Sequence, residues 1–223
     1  MCGRFSQGTP AEILAQLFQL ADIPAWTPRY NIAPTQLVPT VVVTSEHPSR
    51  QFRTWRWGLI PSWAKDPSIG SRMINAQAET ASVKPSFRAA FRRRRCLVLA
   101  DGFYEWQQLG RRKQPFHVRM RDGSPFAFAG LWEHWKGPDG AAIDSCTLLT
   151  TEPNDLIRTF HHRMPVILDP QEYDLWLDPS IQEPDRLHPL LRPYTSEELA
   201  AYPISTRVNN PANDTPDCIQ PLE

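Results

Sequence analysis

The chain has no paired cysteines. Its four, Cys2, Cys96, Cys146 and Cys218, are scattered with no C-x-x-C spacing, which argues against a zinc ribbon and against a disulfide framework. A reducing compartment is expected for such a chain. Glycine is scarce, 10 residues against 23 prolines, so stiff connections and short elements are expected. Charge of either sign is not in excess: 24 basic side chains balance 24 acidic ones, so the global charge advertises no nucleic acid, although a local groove could still bind one. No apolar run reaches the length of a membrane span, and the first residues do not resemble a signal peptide. No repeat, low-complexity tract or linker divides the 223 residues. The expectation is one domain, 1–223, soluble, monomeric and cytoplasmic, with no cofactor and no membrane partner.

At 41% hydrophobic residues the chain can bury a substantial core. Thr9-Pro10-Ala11-Glu12 predicts a helix start with Thr9 as N-cap, and Ile13, Leu14, Leu17 and Leu20 predict its apolar face. Strand-like runs occupy 37–44 and 52–57. A short helix is expected over 87–95, ending in four arginines, Arg92 to Arg95. A buried strand over 96–100 and a hairpin of 103–108 with 115–120 around Gly110 follow. Segments 126–132 and 145–151 read as a second hairpin-like pair, 152–160 as a helix, and 164–168 as a strand. Asp169-Pro170-Gln171-Glu172 starts a helix to about Leu177, 179–200 is helical in short pieces, and 202–208 is a last strand. Mixed order with frequent hairpins implies α+β with a largely antiparallel sheet rather than βαβ winding.

The chemistry begins at Met1-Cys2-Gly3-Arg4-Phe5. A methionine before a small residue is the usual substrate for initiator removal, which would start the mature chain at Cys2. That residue would then carry an α-amine and a thiol, a 1,2-aminothiol that condenses with an aldehyde to a Schiff base and closes to a thiazolidine. An α-amine, with a pKa of about 7.7–8.0 against about 10.4 for lysine, has a roughly few-hundred-fold larger nucleophilic fraction at neutral pH. Further candidates lie along the chain. Asn75 sits in Ile74-Asn75-Ala76, where it suits a sugar or phosphate oxygen or simply a turn. Glu105 lies between aromatics in Asp101-Gly102-Phe103-Tyr104-Glu105-Trp106, where desolvation would raise its pKa for proton transfer. In Phe160-His161-His162-Arg163, one of the two adjacent histidines at most faces a given site, and no further ligands stand at metal-binding spacing. Arg4, Trp63, the run from Arg92 to Arg95, and Arg163 offer the stacking and phosphate contacts that single-stranded nucleic acid requires. An arginine run is equally a solvated face, and several of the eight tryptophans must be core.

Seven stretches occur in order: Met1-Cys2-Gly3-Arg4-Phe5, Arg29-Tyr30-Asn31-Ile32-Ala33-Pro34, Trp57-Gly58-Leu59-Ile60-Pro61-Ser62-Trp63, Ile74-Asn75-Ala76, Ala100-Asp101-Gly102-Phe103-Tyr104-Glu105-Trp106, His161-His162-Arg163-Met164-Pro165 and Ser205-Thr206-Arg207-Val208-Asn209. Together they resemble the SOS response-associated peptidase (SRAP) family of abasic-site processing proteins, over nearly the whole chain. The resemblance implies a single α+β domain with a curved, barrel-like sheet and flanking short helices. It also implies a covalent crosslink between the N-terminal cysteine and abasic sites in single-stranded DNA. Carried over, Cys2 is the nucleophile, Asn75 orients the sugar, Glu105 is the acid/base and His161 supports the Schiff-base stage. Arg4, Trp63, Arg163 and the residue at 77 match DNA-contacting positions. The family commonly has arginine at that last position. Gln77 brings no charge there, so a smaller salt slope of DNA binding is expected. Two other readings stay open: an N-terminal cysteine hydrolase of amides, for which self-removal of Met1 would be a remnant, and a non-catalytic single-strand binding module. Intact-mass measurement of the purified protein is expected to give the chain without Met1; a chain that keeps Met1 would leave the Cys2 amine blocked.

Overall fold

Strand-forming runs pair wherever successive side chains have two apolar surfaces to bury against, and here both faces of the central strands are covered. The computed structural model describes residues 2–138 and 140–222. In chain order come β1 (Phe5–Gln7), α1 (Ala11–Leu17), β2 (Arg29–Ile32), β3 (Leu37–Val42) and β4 (Gln51–Trp57). A 3-10 turn, Pro67–Arg72, leads to β5 (Asn75–Gln77), α2 (Ala78–Ala81), α3 (Arg88–Arg93) and β6 (Arg95–Ala100). The long hairpins are β7 (Gly102–Leu109) with β8 (Arg112–Met120), and β9 (Phe126–Lys136) with β10 (Ala142–Thr151). Then follow α4 (Asp155–Arg158), β11 (Met164–Pro165), β12 (Ile167–Leu168), α5 (Tyr173–Leu177), α6 (Pro184–Leu187) and β13 (Leu199–Pro203). The class is α+β, as the hairpin-rich order implies.

Five strands close on themselves. β10 pairs β9, β9 pairs β6, β6 pairs β3, and β3 pairs β4, all antiparallel; β4 then returns to β10 in parallel register, Ser145 opposite Arg56. A second, five-stranded antiparallel sheet runs β13-β8-β7-β1-β2. The period of two along β6 explains how they pack. Cys96, Val98 and Ala100 join Phe5, Phe103 and Val118 of the second sheet in one cluster. Leu97 and Leu99 join Leu14, Phe18, Phe91 and Trp176 of the helices in another. This two-sided burial is why β6 reads as an unbroken apolar run.

Several local expectations are corrected. Thr9 does not cap α1: its N–H bonds the Gln7 side chain, and Pro10 occupies the N-cap with extended backbone. Ile13 and Leu17 are exposed, so the buried helical face is Leu14 and Phe18, one turn apart. The helix expected over 152–160 shortens to α4, because Asn154 accepts from the Ile157 N–H and so sets its start. The last strand lies earlier than 202–208. β13 ends at Pro203 and a 3-10 turn, Thr206–Asn209, follows, since the Val208 carbonyl is taken by Arg4 and Asn31 rather than by a ladder. The arginine run is not a uniform face. Arg94 pairs with Glu133 at 2.7 Å, and buried Arg95 donates to the carbonyls of Phe91, Arg92, Trp176 and Asp178, tying the ends of α3 and α5.

Gly58, with φ +128°, turns the chain out of β4, and a Cβ there would lie 2.5 Å from the Gly70 carbonyl oxygen. That backbone contact holds loop 58–73 against the ring, just ahead of Asn75. Gly58→Ala is expected to destabilise the protein by about 3 kcal/mol in urea denaturation, combining a left-handed backbone penalty with overpacking. A loss under about 1 kcal/mol would mean the loop is not held by this contact.

Candidate active site

The site is assembled where three short segments meet the edge of the second sheet. β1 pairs β7 with Phe5 opposite Phe103, and the Tyr104 N–H still donates to the Arg4 carbonyl. Extending that register puts Gly3 opposite Glu105, which brings the residue after Cys2 beside the carboxyl. Arg4 is anchored from the far side: its guanidinium donates to Asn31 Oδ1 at 2.8 Å and to the Val208 carbonyl at 2.7 Å. Asn31, fully buried, in turn donates to the carbonyls of Val208, Asn210 and Asn213. Thus the stretches around Asn31 and Val208, which carry no reactive group, build the seat for the N-terminal segment.

Asn75 reaches Cys2 from another direction. β5 pairs β10 in parallel register, Asn75 opposite Leu148. From there Asn75 Nδ2 donates to the Cys2 carbonyl at 2.8 Å, while its Oδ1 is buried with no partner among the described residues. That oxygen is an acceptor awaiting a donor. Cys2 itself is buried, and burial together with the nearby Glu105 carboxylate pushes its thiol far above the ordinary range. The sulfur is therefore a thiol at neutral pH and needs a base before it can attack.

Glu105 is 4% exposed, and desolvation raises its carboxyl to about 7, with Oε1 lacking a hydrogen-bond partner among the described residues. A carboxyl at that value is populated as both acid and base at neutral pH. His161 comes from the turn after α4, where Phe160 stacks on Phe116, the register partner of Glu105, with ring centroids 4.8 Å apart. The Arg163 N–H donates to His161 Nδ1 at 3.0 Å, which leaves the ring hydrogen of neutral His161 on Nε2. Burial, with cationic neighbours adding, lowers this histidine to about 4, so it is neutral at physiological pH. His162 stacks on it at 4.3 Å and is exposed.

Glu105, His161, Arg4 and Gly3 line one open cleft of about 530 Å³, together with Trp106, Lys113 and Asn209. Asn75 touches the Cys2 backbone behind it. The remaining candidates lie elsewhere. Trp63 stands 58% exposed on the turn after Ile60. Gln77, two residues beyond Asn75 on β5, is exposed on the same side of the strand. Arg163 is held by a bidentate pair with Glu79, at 2.7 and 2.9 Å, and donates to the Thr150 carbonyl. Sequence reasoning passed over Trp106, Lys113 and Asn209. Trp106 donates its indole N–H to Asn209 Oδ1, and each is the last residue of one of the seven ordered stretches, whereas Lys113 comes alongside only through the β7–β8 pairing. Met1, whose removal the sequence reading requires, lies outside the described residues.

The family model described as SOS response associated peptidase (SRAP) matches residues 1–211. The abasic site processing protein YoqW of Bacillus subtilis is 42% identical, across 99% of this chain and 99% of its own. The abasic site processing protein HMCES of Gallus gallus is 32% identical, across 100% of this chain and 78% of its own. A crystal structure of a protein from Bacteroides thetaiotaomicron superposes with a TM-score of 0.87 at 27% identity, covering 100% of both chains.

The raised Glu105 pKa has a sign in stability. The folded state holds a proton that the unfolded chain releases at its ordinary value of 4.5, so stability is fully present below that value and falls as pH rises through about 7. Glu105→Gln is therefore expected to remove this decline and to be more stable than the wild type at pH 8, by at most ~3 kcal/mol. Urea denaturation of both proteins at pH 5 and pH 8 checks it; equal pH dependence in the two would mean Glu105 ionises normally.

Proposed function

The chain belongs to the SOS response associated peptidase (SRAP) family, and on that premise we propose that it processes abasic sites in single-stranded DNA by bonding them covalently to Cys2. The observation that carries this reading is a buried carboxyl, Glu105, raised to about 7 with one oxygen unpartnered among the described residues, opposite the residue that follows Cys2. The names of the relatives supply the substrate class: YoqW and HMCES are abasic site processing proteins.

Removal of Met1 frees the Cys2 amine. Asn75, bonded to the Cys2 carbonyl, fixes the direction of that amine and offers Oδ1 to a sugar hydroxyl. The amine adds to C1′ of the ring-opened sugar, forming a C–N bond as the aldehyde oxygen takes a proton. Protonated Glu105 then gives its proton to that hydroxyl, which leaves as water and yields the imine. The resulting carboxylate takes the proton of the Cys2 thiol, the sulfur attacks the imine carbon, and the nitrogen accepts the displaced electron pair. One C–N bond and one C–S bond have formed, one water has left, and nothing has been oxidised or reduced. Neutral His161, with its hydrogen on Nε2, donates a hydrogen bond to the sugar oxygen without adding a charge that would repel the iminium.

The order of steps sets the outcome. An untrapped imine acidifies the adjacent carbon and leads to β-elimination and strand cleavage, so the thiol decides between a protective crosslink and a lyase. DNA positions are proposed for Arg4 at the cleft and for Trp63, Gln77 and Arg163 around it, with Trp63 as a stacking surface. Arg163 would have to exchange part of its Glu79 pair for a phosphate, and Gln77 brings no charge. The same nucleophile and carboxyl would also serve the removal of Met1.

Incubating the purified protein with single-stranded DNA carrying one abasic site is expected to give a denaturation-resistant shifted band. Cys2→Ala, with its amine free, should lose the stable band and nick some strands, and Glu105→Gln should slow crosslinking by roughly 10²-fold or more. A stable wild-type-like band from Cys2→Ala would overturn the assignment.

A further inference from the structure

On the opposite side of β7 from Glu105 lies a second polar cluster that the reaction does not use. Ser6 Oγ is 2.5 Å from Asp101 Oδ1 and 3.0 Å from His117 Nε2. His117 Nδ1 is 2.9 Å from the Tyr202 hydroxyl, which donates to the Ile219 carbonyl at 2.8 Å. These are four consecutive hydrogen bonds joining β1, the turn before β7, β8, β13 and the C-terminal segment. Each link needs one hydrogen. An ionised Asp101 with a neutral His117 supplies only three: the Ser6 hydroxyl, one imidazole N–H and the Tyr202 hydroxyl. The fourth link requires one more proton in the chain.

We propose that Ser6, Asp101, His117 and Tyr202 form a proton-loaded hydrogen-bond chain that positions β1, and through it Cys2, for the crosslinking reaction proposed above. Among the described residues Ser6 is the side-chain tie of β1 to Asp101 and His117, four residues from Cys2. With the proton present, the hydrogens run one way: Asp101 to Ser6, Ser6 to His117 Nε2, His117 Nδ1–H to Tyr202, and Tyr202 to Ile219. Without it, one link must break. The remaining oxygen of Asp101 accepts the Gly8 N–H, so protonation at Oδ1 leaves no donor unmet. The Ser6 hydroxyl has one other acceptor, the Gly102 carbonyl at 3.4 Å, a far longer contact.

Two further observations support the chain. Gly102 makes room for it: a Cβ there would lie 2.1 Å from His117 Nε2. Burial raises the Asp101 carboxyl, and burial with Arg119 holds His117 down to about 3, which puts the extra proton on the carboxyl side. Arg119 of β8 is the cation at the chain: it lies over the Tyr202 ring, hydrogen-bonds the Tyr202 hydroxyl as a donor and disfavours a charged His117, so it supplies no hydrogen to the Asp101, Ser6 or His117 links. The Tyr104 ring of β7 lies tilted 5.1 Å from that of His117 and gives its hydroxyl hydrogen to the Tyr30 carbonyl, and Arg29 on β2 is paired with Asp214. Cys218 of the C-terminal segment packs on Tyr104 as an apolar side chain. A cleft of about 580 Å³, lined by Tyr30, Asp101, His117, Arg119 and Tyr202, opens the chain to solvent for proton exchange.

The test uses the full chain. Nitrogen NMR of His117 at neutral pH is expected to show hydrogen on Nδ1 and none on Nε2; the Nε2–H tautomer would mean only three hydrogens and overturns the proposal. Asp101→Asn supplies the hydrogen permanently through its amide. Amide exchange of β1 and the crosslinking rate in D101N should match the wild type at low pH. Above the wild-type titration the wild type should lose ground to D101N, by up to about tenfold per pH unit. Ser6→Ala should lose the protection of β1 at every pH. Identical pH profiles for wild type and D101N would sink the idea. Absence of any crosslink from the wild type would sink the abasic-site reading alone, since tautomer and amide exchange need no DNA.

Discussion

A closed ring of five strands cannot be antiparallel throughout, because alternating directions around an odd ring must clash once. Here the clash is resolved at the parallel joint between β4 and β10. A parallel pair needs a long connection, and β4 reaches β10 only through residues 58–141. β10 thereby has an edge too long for β4 alone. On one edge of β10, β4 takes Ser145 and Cys146 and β5 takes Leu148 to Thr150; on the other, where the β9 pairing ends at Leu148, β11 takes Thr150 and Thr151. Asn75 thus enters on β5 along one edge, and His161 precedes the strand that pairs along the other.

The second sheet supplies the other half. Its strand β1 is three residues long, too short to hold itself, and its place is fixed by polar groups at both ends. Asn31 and the Val208 carbonyl grip Arg4 before it, and Asp101 and His117 grip Ser6 within it. Such buried networks make a position unique, since any slip leaves several more polar groups unpaired at about 1–3 kcal/mol each. The segment that carries Cys2 is in this way given a fixed address.

The chemistry follows from dryness rather than from charge. No metal-binding group of three His, Cys, Asp or Glu side chains stands together among the described residues. Instead the same desolvation raises Glu105 to about 7, lowers His161 to about 4 and keeps the Cys2 sulfur protonated. Each group is thus held in its neutral form or near its midpoint, as the proposed proton transfers require.

The sequence by itself determined the elements whose causes are local. Strand-like runs marked β3, β4 and β9, Gly110 marked the β7–β8 turn, and the Asp169-Pro170 cap marked the start of the turn leading to α5. It also singled out the candidate reagents, since a cysteine at position 2 and a glutamate between aromatics are chemically suggestive without a fold. Only the tertiary structure decided which groups meet. Thr9 lost its cap to the Gln7 side chain, Val208 left the ladder for Arg4, and Arg95 in an apparently solvated run became a buried tie between two helices. Gly3 faces Glu105 only through strand register, and His161 approaches only because Phe160 finds Phe116. Such outcomes depend on competition among partners distant in sequence for the same hydrogen bonds and the same buried space. Composition and periodicity carry no record of that competition.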